Sequence, residues 1–328
     1  MVVGQQNEMK KIFFINIIVI FLIIFSLEVM MNIFKFSGLM GIQKGLIFKE
    51  GNTHYFKPNS EGVIFNEVIY TDNNGYRIPS KNYKYLGKKN IFILGDSVTF
   101  GNGVKENETF IGLLRKKYKE INFLNSSVPG YQIKDHISVI NQTTKFDNIN
   151  KIIYFFTLND IYGSSNILNL DNKKKESDFS LKKYKLLSKI NIYLRNKSYL
   201  YMFIKGIGTD PSKRWFLNLY EKFETKDFNE IENHLITLSN YSKNEQSDFI
   251  IILFPYEYQT RNCSKNVLKP QKKIVKILTN LNIEFKDLTG IFCNQKKPKK
   301  NFYKFDPMHL SKQGHNLVYK TLKNEINF

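Results

Sequence analysis

The sequence predicts an α/β fold: a three-layer α/β/α sandwich around a mostly parallel five-stranded sheet, preceded by an N-terminal transmembrane helix. Three observations predict it. From Asn90 onward, short continuous apolar runs alternate with helical stripes of apolar residues, as strands buried on both faces of a parallel sheet require. The loops that follow these runs are rich in Gly, Ser, Asn and Asp. Near the N-terminus, Ile12 to Leu27 is almost wholly apolar.

The apolar stretch comes first in the chain. Lys10 and Lys11 precede it, and it extends to Phe34 if Glu28 and Asn32 sit near the far interface. That meets the ~20 residues needed to span a bilayer. Glu28-Val29-Met30-Met31-Asn32 offers no small-residue cleavage site, so the segment reads as an uncleaved signal anchor. Lys35, Lys44 and Lys49 flank its other side, so charge bias hardly decides orientation. A short N-terminal tail favours N-inside, which exports the large domain. Three regions follow: a tail and anchor over 1–36, a β-rich lead-in over 37–89, and the main domain over 90–328.

The lead-in carries short extended pieces, His54 to Asn59 and Val68 to Tyr70, separated by turn signals such as Asn73-Asn74-Gly75. In the main domain, Ile91 to Leu94 is the first strand. Asn107 is placed to cap a helix bearing Phe110, Ile111, Leu114 and Tyr118. Ile121 to Leu124 is the second strand, Tyr131 to Thr144 a helix, and Ile152 to Phe156 the third strand. Phe228, Ile231, Leu235, Leu238 and Tyr241 form another helical stripe. Phe249 to Phe254, stopping at Pro255, is the fourth strand. Val267 to Leu281 is helical, broken or begun near Pro270. Ile283 to Leu288 is the last strand, and Ser311 caps a final helix. Residues 161–227 break the alternation. They are basic, rich in Tyr and Leu, and helical from Leu181 to Ile204, an insertion that is either a substrate lid or a helical elaboration.

Composition narrows the function classes. The chain has 328 residues, 42% hydrophobic and 15% aromatic, enough for a sizeable core, and a formal net charge of +20. The charge points to a polyanionic partner or to Lys-rich solvated loops; runs such as Lys173-Lys174-Lys175 read as the latter. There is no RNA-binding aromatic signature and no zinc-finger spacing, which argues against nucleic acid as a partner. Cys263 and Cys293 either pair or remain free thiols, and no Cys/His metal-ligand cluster is present. No cofactor is implied, and the oligomeric state is open.

In open α/β sheets ligands bind beyond the carboxyl ends of the strands. Four suggestive loops fall there: Gly95-Asp96-Ser97, Asn125 to Tyr131, Thr157 to Asp160, and Asp306-Pro307-Met308-His309. A serine in a turn after a strand, with Asp and His following in chain order, offers a nucleophile, an orienting acid and a base. His54, His136, His234 and His315 have no such partner and read as structural or surface residues. Asp96 and Asp160 read as braces for their loops. No Gly-Lys-Ser/Thr follows Gly95 to Gly103, which argues against a phosphate-binding loop.

On these four blocks the chain resembles the SGNH hydrolases, also called the GDSL esterase/lipase superfamily, over roughly residues 90–325. The resemblance implies a flavodoxin-like fold. It implies a triad of Ser97, Asp306 and His309, with an oxyanion hole of the Ser97 N–H, the Gly130 N–H and the Asn159 amide. Thr157 stands where the third block usually has Gly. The implied activity is a serine esterase cleaving a small acyl group, O-acetyl above all, from an envelope glycan or lipid. An O-acetyltransferase using the same triad, or a non-catalytic envelope assembly or glycan-binding protein on this fold, are the alternatives.

Overall fold

A computed structural model describes residues 2–34, 38–146, 148–161, 185–225, 228–264, 266–326 and 328. Helix α1 (Val2–Phe34) opens the chain. Its stretch Glu8–Phe34 is long and apolar enough to cross a membrane, and none of its most apolar window is buried. Such a helix suits a membrane anchor or a signal sequence.

Two small antiparallel sheets follow. Strand β1 (Ile47–Glu50) pairs with β2 (Thr53–Phe56). Strands β3 (Glu61–Ile64), β4 (Glu67–Thr71) and β5 (Arg77–Ile78) form the second. The β3–β4 turn is Phe65-Asn66, both at positive φ (49° and 66°), the backbone a two-residue hairpin of right-twisted strands calls for.

The central sheet is parallel throughout. It contains β6 (Lys89–Leu94), β7 (Ile121–Asn125), β8 (Ile149–Phe156), β9 (Asp248–Leu253) and β10 (Glu284–Asp287). The spatial order is β10-β9-β8-β6-β7. Ile91 to Leu94 and Ile152 to Phe156 are buried almost completely, which is why their runs show no alternation. The chain moves outward from β6 to β7, then reverses across β6 to β8. Right-handed crossovers put helices on opposite faces on either side of that reversal, and a ligand crevice opens there beyond the strand ends.

The helices are α2 (Ser97–Phe100), α3 (Phe110–Lys117), α4 (Ile133–Ile140), α5 (Lys185–Lys197), α6 (Tyr199–Thr209), α7 (Pro211–Thr225), α8 (Asn229–Asn244), α9 (Glu257–Asn262), α10 (Lys269–Asn280), α11 (Thr289–Cys293) and α12 (Lys312–Glu325). Helix α3 packs with α12, and α4 with α8. Two local expectations need correction. Thr109, not Asn107, caps α3: Glu106–Glu108 form a 3-10 turn, and the Thr109 hydroxyl accepts the Gly112 N–H at 3.0 Å. The helix expected over Tyr131 to Thr144 is shorter. Gln132 is extended, its N–H donating to Asp135 Oδ2 at 3.0 Å. After Ile140 the polar run Asn141–Lys145 tightens into 3-10 geometry, and the Thr144 hydroxyl bonds the Asn141 carbonyl, the local competition that weakens Thr and Asn as helix formers.

The insertion expected over 161–227 contributes α5, α6 and α7; residues 162–184 and 226–227 of it lie outside the described residues. Glu28 of α1 caps α6, accepting from Ser198 Oγ (2.6 Å), Tyr199 N–H (2.7 Å) and Leu200 N–H (3.1 Å). Met31, Leu39, Tyr199 and Met202 form a small separate core beside that cap. Cys263 and Cys293 pair, tying the end of α9 to α11. Two cysteines in the sequence are compatible with a pair or with free thiols; the structure pairs them.

Candidate active site

Strand β6 runs into Gly95-Asp96-Ser97, and the turn is fixed by packing. A Cβ on Gly95 would lie 2.2 Å from Thr99 Oγ1, so only glycine fits. Asp96 Oδ1 accepts the Val98 N–H at 2.8 Å and caps α2. Ser97 is thereby held at the first position of a helix, where its N–H has no intrahelical partner.

His309 Nε2 lies 2.9 Å from Ser97 Oγ, and His309 Nδ1 lies 2.8 Å from Asp306 Oδ2. Asp306 Oδ1 accepts the N–H groups of Met308 (2.9 Å) and His309 (2.7 Å). Both carboxylate oxygens are thus engaged, and the Asp306–His309 loop is locked onto itself. A Phe302–Leu310 bridge closes the base of that loop. Burial by itself pushes the His309 imidazole down, but the Asp306 charge and hydrogen bond, with Asp96 behind them, hold it above its ordinary 6.5.

Asn159 and Gly130 complete the rim. Asn159 Nδ2 donates to Asp96 Oδ2 at 2.9 Å, which leaves its second hydrogen free to point at a ligand. Gly130 has φ +89°, a conformation glycine adopts without strain. Among the described residues, neither the Ser97 nor the Gly130 N–H finds an acceptor within the protein. Hydrogen bonds thus join the Ser97, Asn159 and Asp306–His309 loops, and the Gly130 loop meets the serine turn where the Val128 N–H donates to the Gly95 carbonyl at 3.3 Å. A cavity of 220 Å³ adjoins Asp306, lined among others by Leu39, Met40, Phe65, Tyr199 and Met202. Among the described residues no group of three or more His, Cys, Asp or Glu is arranged to hold a metal.

The chain is similar in structure to GDSL lipolytic hydrolases and esterases. One such structure is a member of the lipolytic protein G-D-S-L family from Veillonella parvula: 14% identity, TM-score 0.44, 73% of this chain and 98% of that chain covered. Another is a lipase/acylhydrolase from Enterococcus faecalis: 14% identity, TM-score 0.42, 73% and 97% covered. A third is an acetyl-xylooligosaccharide esterase from Geobacillus: 16% identity, TM-score 0.42, 75% and 97% covered. No family model matches the chain, and no curated protein matches it.

Several supporting residues were not legible in the sequence. Tyr256 OH donates to Asn159 Oδ1 at 2.8 Å. Thr157, the departure from glycine, places its hydroxyl against that same oxygen and 3.0 Å from Asp96 Oδ2. With hydroxyls on its oxygen and a carboxylate on its nitrogen, the Asn159 amide is oriented from both ends. The Thr157 N–H donates to Asp160 Oδ2 at 2.7 Å, so Asp160 closes the turn rather than facing the serine. Burial, reinforced by neighbouring Asp96, pushes the Asp160 carboxyl well above the usual carboxylate range.

The two small sheets supply the rest. Buried Arg77 donates to the carbonyls of Phe100, Gly101 (2.9 Å) and Val104 (2.6 Å), pinning the chain that follows Ser97. The Phe65 ring stands edge-on to His309 at 5.1 Å. His54 Nε2 bonds the carbonyl of Pro129, next to Gly130, at 3.0 Å. His54 is therefore structural, as are buried His136 and His315.

Proposed function

We propose that the protein is a membrane-anchored serine esterase of the SGNH type, its domain exported, that removes a small acyl group, O-acetyl above all, from an envelope glycan or lipid. The observation that carries this reading is the unbroken relay from Ser97 Oγ through His309 to Asp306, with an oriented amide at Asn159 beside it. His309 takes the Ser97 proton as Oγ attacks the ester carbonyl. The tetrahedral oxyanion accepts from the Ser97 and Gly130 N–H groups and from Asn159 Nδ2. Collapse expels the alcohol, which takes the proton from His309 and leaves an acyl-Ser97 ester. Water then attacks that ester with His309 again as base, releasing the carboxylic acid and restoring the serine. Asp306 fixes the imidazole tautomer and stabilises the imidazolium. The paired Cys263 and Cys293 suit an oxidising compartment, and the Glu8–Phe34 helix suits an anchor.

The test uses purified protein with a fluorophosphonate probe and p-nitrophenyl acetate. Wild type should take one adduct at Ser97 and hydrolyse the ester. Ser97→Ala should do neither. Asn159→Ala should keep its fold but lose about 100- to 1,000-fold in kcat. An adduct that persists in Ser97→Ala, or full activity in Asn159→Ala, would overturn the assignment.

A further inference from the structure

Helix α1 is not tethered loosely to the rest of the protein. Glu28, six residues before its end, makes three hydrogen bonds to the start of α6, and Met31 packs with Tyr199 and Met202 of that helix. Helix α6 in turn meets the loop that carries Asp306. The Phe203 ring lies 5.9 Å from that of Phe305, and a Cβ on Gly206 would collide with the Phe305 ring. At the start of α7, Ser212 Oγ donates to the Asp306 carbonyl at 2.9 Å. The cavity beside Asp306 is walled on one side by Leu39 and Met40, just past α1, and on another by Tyr199 and Met202. An 11-residue helix spans about 16 Å, so the apolar helix and the Asp306 loop are held within that order of distance.

The outer side of this layer is apolar, with Lys189 and Lys197 exposed on α5. Helix α5 exposes Leu187, Ile190 and Tyr193 at three-residue spacing, which is one helix face. Opposite its buried Tyr199, Met202 and Gly206, α6 exposes Ile204 and Ile207. The two isoleucines and Tyr193 are 61–65% exposed, and Trp215 on α7 is 43% exposed. Helices α5 and α6 hold five basic residues and no acidic one. Partial burial, and to a smaller extent the nearby Arg195 and Arg214, pushes the Lys205 ammonium down to about 8. Water disfavours the apolar face, though it solvates the lysines well. An anionic phospholipid surface suits both, with aromatic and apolar side chains among the headgroups and lysines on the phosphates.

We infer that the α5–α7 layer is a membrane contact, its occupant the anionic phospholipid surface of the bilayer that α1 enters, and that the esters offered to Ser97 are ones carried on lipids at that surface. The substrate half of this statement rests on the esterase reading above; the contact half does not. Trp215 is the single tryptophan of the chain, so it reports on the layer alone. The full chain is reconstituted in phosphatidylglycerol/phosphatidylcholine vesicles, with lipid brominated near the headgroup, near the chain end, or not at all. Headgroup-proximal bromine should quench Trp215 fluorescence more than bromine at the chain end, and Glu28→Ala should weaken the quenching. Equal emission with and without bromine would overturn the contact. Acetyl release from an O-acetylated dodecyl glucoside in the vesicles should exceed that from the methyl glucoside in solution by about tenfold, because confinement to the surface raises local concentration. Equal rates would overturn the substrate class. Absence of fluorophosphonate labelling with quenching intact would remove the esterase reading and leave the contact standing.

Discussion

At Thr157 a residue that looks like a flaw in a motif turns out to be wired into the site. Its hydroxyl and that of Tyr256 converge on Asn159 Oδ1, and Asp96 takes the other end of the amide. Orientation that a glycine turn leaves to the backbone is here shared with side chains. His309 sets the pH response at the same scale. Only the neutral imidazole can take the Ser97 proton, and the Asp306 charge, against the effect of burial, holds the imidazole above 6.5. Ester hydrolysis should therefore fall on acidification with a half-point above pH 6.5. In Asp306→Asn only Asp96 still opposes the burial effect, so the half-point should move below that of wild type as the rate drops. A pH–kcat/KM profile of both proteins checks this, and an unmoved half-point would remove Asp306 as the group that tunes His309.

At the scale of elements, the disulfide is the clearest cross-link. It closes a loop of 30 residues through α10, β10 and α11. A loop of that length restricts the unfolded chain by about 3–4 kcal/mol. The Cys263→Ser/Cys293→Ser double variant should lose stability of that order in urea unfolding, and little or no loss would mean the link restrains nothing when the chain unfolds. Elements also show what could be read from sequence. The strands were legible because Ile91 to Leu94, Ile152 to Phe156 and Ile250 to Leu253 are buried on both faces and so appear as unbroken apolar runs. The α12 cap at Ser311 was legible because it is local. The α3 cap was misplaced by two residues because a 3-10 turn intervenes, and nothing in Glu106-Asn107-Glu108 distinguishes that turn from the helix start. In the site, the four blocks could be read because each is contiguous. Arg77, Phe65, His54 and Tyr256 could not, because each reaches its partner across a long separation in sequence and leaves no local pattern.

Over the whole molecule, acid stability should be governed partly by histidines that do no chemistry. His136 is fully buried between the rings of Tyr131 and Tyr154, and burial lowers it to about 3. The folded state holds it neutral, so the unfolded chain binds its proton first. Its contribution to stability is full above about pH 6.5 and is lost as pH falls from there toward about 3. Raised carboxyls such as Asp96 and Asp160 act in the opposite sense, because their folded forms take up protons early. A variant isolates the histidine: between pH 7 and pH 4, His136→Phe should lose on the order of 3 kcal/mol less than wild type in urea unfolding. Identical losses would mean His136 finds its proton without unfolding.

The two small sheets before β6 touch three of the four candidate catalytic loops: Arg77 holds the chain after Ser97, His54 the carbonyl before Gly130, and Phe65 the ring of His309. A boundary drawn on the motif blocks alone would start at Asn90 and discard all three. Shortening the protein to that minimal length would keep every residue of the proposed triad and oxyanion hole and lose the framework that positions them. The unit that could be transplanted, swapped or inherited as an enzyme is therefore larger than the unit a motif search would outline.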